Sequence, residues 1–209
     1  LMNVDPHKIV DKCKQVELFP GDKMLRINKR KHSSAIYYGR KALYRWDAKD
    51  NSYGVMYTAK DIDTAFAETF GHDVINEKDF AEDKFIGLAD LMSHNVWELT
   101  VKKSLTLLDL TGKSLIRLNL DMSFVSDPDY ALARRISTIA YESDYDGIYY
   151  QSRAHPGGFA YALFDRTKAT LEEACLGSLG DWSDEFDGRT IDAVLTEQGW
   201  YLYDHNHNV

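Results

Sequence analysis

Two stretches of the sequence concentrate side chains able to do chemistry. The first is "GIYYQSRAHPGGFAYALF", residues 147–164. Apolar runs at 147–150 and 159–164 read as strands, and between them stand Ser152, Arg153 and His155 with two glycines. A connection that only reverses the chain needs about two to five residues. This one is longer and carries a hydroxyl, a guanidinium and an imidazole. The second stretch is residues 23–45, "KMLRINKRKHSSAIYYGRKALYR", with eight Lys/Arg and no Asp/Glu. The other 17 basic residues share the chain with all 33 acidic ones. Guanidinium forks grip phosphate oxygens in pairs, so this segment could line a pocket for a small polyanion. Two plainer readings stand beside that one: a solvated loop of mutually repelling charges, or a surface for an acidic partner.

Composition limits the alternatives. The chain has 209 residues and a net charge of −8, which argues against a general nucleic-acid binder. Apolar content of 44% supports a sizeable core, and 28% charged residues are those of a soluble chain. No apolar run approaches the roughly 18 residues of a membrane helix. The N-terminal stretch lacks the apolar core of about 7–15 residues that marks a secretory signal. Cys13 and Cys175 form no metal or redox motif, and reduced thiols in a cytoplasm are the expected state. "TGKS" at 111–114 resembles the end of a phosphate-binding loop, but the place of its first glycine is Leu107, inside a strand-like run. His205 and His207 lie in a terminal segment that offers a metal no rigid geometry.

The elements that must position these residues follow from periodicity. Asp5-Pro6 reads as a cap and first residue of a helix with Ile9, Val10, Cys13 and Val16 at helical spacing. "MLRI" and "YGVMYTA" read as strands, and residues 28–53 between them as a long functional loop. Asp61 caps a helix with Ile62, Ala65, Phe66, Thr69 and Phe70 on one face, ended by Gly71. Further helices are expected within 77–93, at 129–142, near 168–175 and near 189–198. The 129–142 helix has Leu132, Ala133, Ile136, Ile139 and Ala140 as its buried stripe. "NVWELTVKKSLTLLDLTG" gives two strands joined by a polar turn at Lys102–Ser104, and "GWYLY" a last strand. The sum is one mixed α/β domain: a helical extension over 1–19, a central unit over 20–166, and a C-terminal extension over 167–209 packed on it.

Four pieces, in order, carry a family likeness: "MLRI" (24–27), "YRWDAKDNSYGVMYTAKDIDTAFAE" (44–68), "LTLLDLTG" (105–112) and "DYDGIYYQSRAHPGGFAYALFD" (144–165). Together they resemble the RES domain, the toxin half of bacterial RES–Xre toxin–antitoxin pairs. The resemblance implies an α+β, ADP-ribosyltransferase-like fold: a twisted, mostly antiparallel sheet with flanking helices in one domain. It implies degradation of NAD+ at the nicotinamide–ribose bond, by phosphorolysis or hydrolysis, or else transfer of ADP-ribose to a protein. NAD+ is then a substrate, inorganic phosphate a co-substrate, and no resident cofactor or metal is needed. The implied partner is an Xre-family helix-turn-helix antitoxin, with a homodimer as a further option and neither membrane nor direct nucleic-acid binding. A toxin-like binding module that leaves NAD+ intact is the non-enzymatic alternative.

The resemblance maps its functional positions onto Arg26, Arg45, Tyr57, Glu68 and Ser152. Arg40 rivals Arg45 for the second arginine, while Arg153 and His155 are secondary candidates for phosphate contact. The chemistry suits these types. Pyridinium is already a good leaving group, so the need is for anion clamps, a ring platform and negative charge beside an oxocarbenium-like ribose. Arg26 and Arg45 fit the first task, Tyr57 the second, and Glu68 the third, with Ser152 as a hydrogen-bond donor in the nicotinamide-ribose pocket. Glu68 projects about 140° from the apolar stripe of its helix at ~100° per residue, so it faces either solvent or a cleft. Alone, each has an ordinary reading as well: a core-edge arginine, a solvated arginine, a packed tyrosine or a turn-capping serine.

Overall fold

Burial along Leu105–Leu110 shows how the sheet is built: Leu105 and Leu107 face one core cluster and Leu108 and Leu110 another, so both faces are covered. The computed structural model describes residues 6–76, 83–120, 129–185 and 188–203. Among the described residues ten strands run in chain order: β1 (Lys14–Leu18), β2 (Lys23–Lys29), β3 (Val55–Ala59), β4 (Lys84–Gly87), β5 (His94–Val101), β6 (Leu105–Leu110), β7 (Gly147–Gln151), β8 (Phe159–Phe164), β9 (Leu171–Ser178) and β10 (Trp200–Tyr203). Six α-helices accompany them among the described residues: α1 (Pro6–Lys12), α2 (Ile62–Asn76), α3 (Leu88–Met92), α4 (Gly112–Leu118), α5 (Ala131–Glu142) and α6 (Ile191–Glu197). Eight strands form one sheet in the order β1-β6-β7-β8-β3-β2-β5-β9, and β10 pairs with β4 in a small second one. The large sheet is mostly antiparallel; its one parallel junction is β6–β7. The α+β architecture read from the sequence is therefore observed.

The site depends on a break in this sheet. β3 pairs with β8 along its whole length, and β2 pairs with β5 along its whole length. Between β2 and β3 the register holds at a single pair, Leu25 with Ala59. The sheet opens there, with Arg26 on one parting strand and Tyr57 on the other. Helix α2 crosses the opening; its Ala65 and Phe66 pack with Ile27, Ala59, Val194 and Trp200. Asp61 caps that helix as expected, its Oδ1 accepting from the Thr64 amide at 2.8 Å. Helix α5 buries Ala133, Ile136, Ile139 and Ala140 against β6–β8 together with Trp46 and Tyr53.

Several elements differ from the sequence reading. The first helix stops at Lys12, and Val16 belongs to strand β1, paired with β6; Asp5 lies outside the described residues. Helix α2 runs through Gly71 to Asn76. Of the helix expected within 77–93, residues 77–82 lie outside the described residues, and the rest is β4 followed by the short α3. β5 and β6 do follow one another through Lys102–Ser104, but they lie at separate places in the sheet. Residues 171–178 form a strand, β9, where a helix is expected near 168–175; edge pairing with β5 decides it. The two tail histidines are outside the described residues.

Candidate functional site

A cleft of about 430 Å³ occupies the opening between β2 and β3 and is lined by Arg26, Arg45, Tyr57 and Glu68, among others. That volume lies within the usual range of roughly 300–1,000 Å³ for small-molecule sites. Chain segments up to 125 residues apart, Leu25 to Tyr150, thus meet at one hollow. Tyr44, Trp46, Tyr130 and Tyr150 complete an aromatic wall.

Arg26 projects from β2 and is held through one nitrogen. Its Nη1 donates to the carbonyls of Ala35, at 2.7 Å, and Tyr37, at 3.2 Å. Its Nη2 and Nε have no hydrogen bond to the described residues, which leaves them for a ligand. Burial lowers the Arg26 pKa from its ordinary value, and Tyr38 and Glu173 oppose that drop. Arg45 comes from the loop before β3. Its guanidinium carbon lies 5.9 Å from the ring centres of both Tyr130 and Tyr150. Its Nε is buried without a hydrogen-bond partner among the described residues. Arg40 does not line the cleft. It donates to the carbonyls of Asn51 and Ser52 and forms an ion pair with Asp165.

The loop bearing Arg45 is folded around Asp47, which is 2% exposed. Asp47 Oδ2 accepts from the amides of Leu43 and Tyr44, each at 2.9 Å, and its Oδ1 accepts from the Tyr57 hydroxyl at 2.9 Å. The same hydroxyl accepts from the Trp46 amide at 3.1 Å. The Tyr57 oxygen is thus fully engaged within the protein, and what Tyr57 offers a ligand is ring surface.

Glu68 lies on α2 and faces the cleft rather than bulk solvent. Ser152 Oγ donates to its Oε1 at 2.6 Å and accepts from the His155 amide at 3.0 Å. His155 Nδ1 meets Thr64 Oγ1, also on α2, at 3.0 Å. The polar segment between β7 and β8 is therefore the strap that docks on α2 and fixes Glu68. It needs Gly158: a Cβ there would stand 2.3 Å from Thr64 Oγ1 and 2.4 Å from His155 Nδ1. Ser152 reaches the cleft through Glu68 and does not itself line it; Arg153 is half-buried in the same loop and is not a lining residue.

Phenols held wholly or partly out of water give the fold an alkaline limit. Burial, and then Asp47, push Tyr57 well above the usual phenol pKa; burial and Glu68 do the same for Tyr150, with Arg45 acting the other way. Burial pushes Tyr38 and Tyr161 to about 12. A raised folded pKa contributes stability that is complete below the unfolded value of about 10 and is lost as the pH climbs through the folded values. Melting temperature is expected to hold up to about pH 10 and to fall steeply above it. Thermal scans from pH 8 to 11.5 measure this, and a flat profile would contradict the burial of these hydroxyls.

Sequence reasoning missed Asp47, Tyr130, Tyr150 and Thr64. Only Tyr150 had a readable signal: two residues before Ser152 in a strand, it shares that residue's face.

Fold and cleft together define a class: an α+β domain whose split, mostly antiparallel sheet holds two arginines, an aromatic wall and one carboxylate in a single hollow. The family model of the RES domain matches residues 23–183. The chain belongs to the RES-domain family. Its fold is similar to that of a chain in the crystal structure of the M. tuberculosis MbcT–MbcA toxin–antitoxin complex. The likeness has a TM-score of 0.61 at 15% identity and covers 82% of this chain and 91% of that one. No curated protein matches the sequence.

Proposed function

We propose that this protein is the toxin of a bacterial toxin–antitoxin pair, acting in the cytoplasm by cleaving the nicotinamide–ribose bond of NAD+. One observation carries the reading: Arg26, Arg45, Tyr57 and Glu68, scattered in sequence, line one cleft, with Ser152 bonded to the carboxylate. Arg26 and Arg45 hold the pyrophosphate. The ring of Tyr57 supports the nicotinamide, and Glu68 faces the ribose. As the N–C1′ bond breaks, its electron pair leaves with nicotinamide and positive charge grows on the ribose, where the Glu68 carboxylate stabilises it. Ser152 keeps that carboxylate aimed. Phosphate oxygen then bonds C1′ to give ADP-ribose-1″-phosphate; water instead gives ADP-ribose and releases a proton. NAD+ is consumed as substrate.

MbcT and MbcA form a toxin–antitoxin complex, which supports an antitoxin partner here, of the Xre helix-turn-helix type. The eight basic residues of 23–45, of which Lys23 and Arg40 are paired with Glu98 and Asp165, favour an acidic segment of that partner over the cleft. No described helix is long and apolar enough to cross a membrane.

Incubating the antitoxin-free protein with NAD+, with and without phosphate, tests the reading. Release of nicotinamide is expected, and the second product identifies the acceptor. Intact NAD+ in both incubations would contradict the proposal, and label from NAD+ on a protein band would turn it into protein ADP-ribosylation. The two rival arginines separate in the same assay. Arg45→Ala is expected to raise KM for NAD+ at least tenfold, since charge-assisted bonds to phosphate contribute about 1.5–3 kcal/mol. Arg40→Ala is expected to leave KM within about twofold, because its partner Asp165 is outside the cleft and surface pairs contribute little. Equal effects of the two would remove Arg45 from the site.

A further inference from the structure

We propose that Glu173, on strand β9 at the far edge of the sheet, is a positioning residue that sets the aim of Arg26; this rests on the function proposed above. The stretch 34–37 has no regular secondary structure, yet its carbonyls at Ala35 and Tyr37 are the two acceptors that hold Arg26 Nη1. One carboxylate oxygen takes three donors of that stretch, beside the Asn28 Nδ2 bond to the Ser34 carbonyl and the Ile36 and Tyr37 amide bonds within it. Glu173 Oε2 accepts from the Ala35 amide at 2.6 Å, the Ile36 amide at 2.9 Å and Ser34 Oγ at 3.0 Å. Hydrogen bonds to a carboxylate are roughly twice as strong as neutral ones. Three of them on one atom pin a segment that has no ladder of its own.

The chain of cause is short. Glu173 fixes residues 34–36, the Ala35 carbonyl within them and the Tyr37 carbonyl next to them hold one end of the guanidinium, and the other end is left for a ligand. Removing the carboxylate frees three donors and lets the carbonyls drift, which turns the fork. Misplacement of a reacting group by about 1 Å costs on the order of 10² in rate. The neighbouring Glu172 is a built-in control: it sits on the same strand but is exposed, and it pairs with Lys102 at 2.6 Å across the surface.

The experiment is a double-mutant cycle on NAD+ cleavage, each variant first checked by thermal unfolding. Glu173→Ala is expected to lower kcat/KM on the order of 10²-fold, and Glu172→Ala to change it less than about twofold. Glu173→Gln keeps an acceptor oxygen and should recover most of the loss, to within about tenfold of wild type. In an Arg26→Ala background, Glu173→Ala should add less than about twofold, because its effect passes through Arg26. A loss of equal size in both backgrounds, or one no larger than that of Glu172→Ala, overturns the proposal. If Glu173→Ala does not fold, the cycle is run with Glu173→Gln: a loss of up to about tenfold that disappears in the Arg26→Ala background supports the proposal, and any other outcome overturns it. The Arg26 side-chain N–H resonance gives a readout free of turnover. It should be sharp and dispersed in the wild type, averaged in Glu173→Ala and unchanged in Glu172→Ala; an unmoved resonance in Glu173→Ala overturns the proposal. Where wild-type protein turns over no NAD+, the proposed function fails, and this resonance alone decides the role of Glu173.

Discussion

Glu68→Gln is expected to slow NAD+ cleavage about 10²–10³-fold while leaving the protein folded and able to bind. Glutamine keeps the shape of the side chain and an oxygen to accept the 2.6 Å bond from Ser152, so the strap between β7 and β8 should stay docked on α2. What it removes is the negative charge beside the ribose. A preorganised electrostatic group of this kind contributes roughly 2.7–4 kcal/mol to a transition state and little to the ground state, so the loss should fall on kcat. Calorimetric titration with ADP-ribose should give nearly unchanged affinity for the variant. A kcat loss below about fivefold would show that the carboxylate does not meet the developing charge.

Arg26→Ala is expected to have an effect of the same order, about 10²–10³-fold in kcat/KM, but divided between KM and kcat. The residue has two ends. Nη1 ties the irregular 34–37 stretch to β2 through the Ala35 and Tyr37 carbonyls. The remaining N–H groups have no hydrogen bond to the described residues and, in the function proposed, would meet the pyrophosphate with charge-assisted bonds. Arg26→Lys is therefore expected to rescue less than about a tenth of the loss, because an ammonium cannot hold the carbonyls and fork onto phosphate together. Steady-state kinetics on the three proteins checks this; a lysine variant close to wild type would mean that the site needs only a charge there.

Part of what rests on local pattern was legible in the sequence, though the Gly71 stop and the helical spacing carried to Val16 were not borne out. The α5 stripe, the Asp61 cap and the β7–β8 pair are written in spacing over a dozen residues, and all are observed. The strands β1 and β9 were not legible. Both lie at the edges of the sheet, where only part of one face is buried, so the alternation that betrays a strand is weak. "LEEACLGS" contains good helix formers and becomes a strand because β5 offers it a ladder. Of the site, the ordered family pieces named the lining residues Arg26, Arg45, Tyr57 and Glu68. They also named Ser152, whose action on Glu68, in place of a ligand, is a matter of three-dimensional reach. Asp47 was invisible for a related reason. An aspartate in "YRWDAKDN" looks solvated, and its burial follows only from the loop closing over Tyr57.

The most direct measurement is a structure of the protein with a carbocyclic NAD+ analogue, in which the nicotinamide bond cannot ionise. The pyrophosphate should lie within hydrogen-bonding distance of Arg26 and Arg45, the nicotinamide against the Tyr57 ring, and the nicotinamide-side ribose beside Glu68. A dinucleotide bound outside the β2–β3 opening, or seated there with its ribose remote from Glu68, would contradict the assignment.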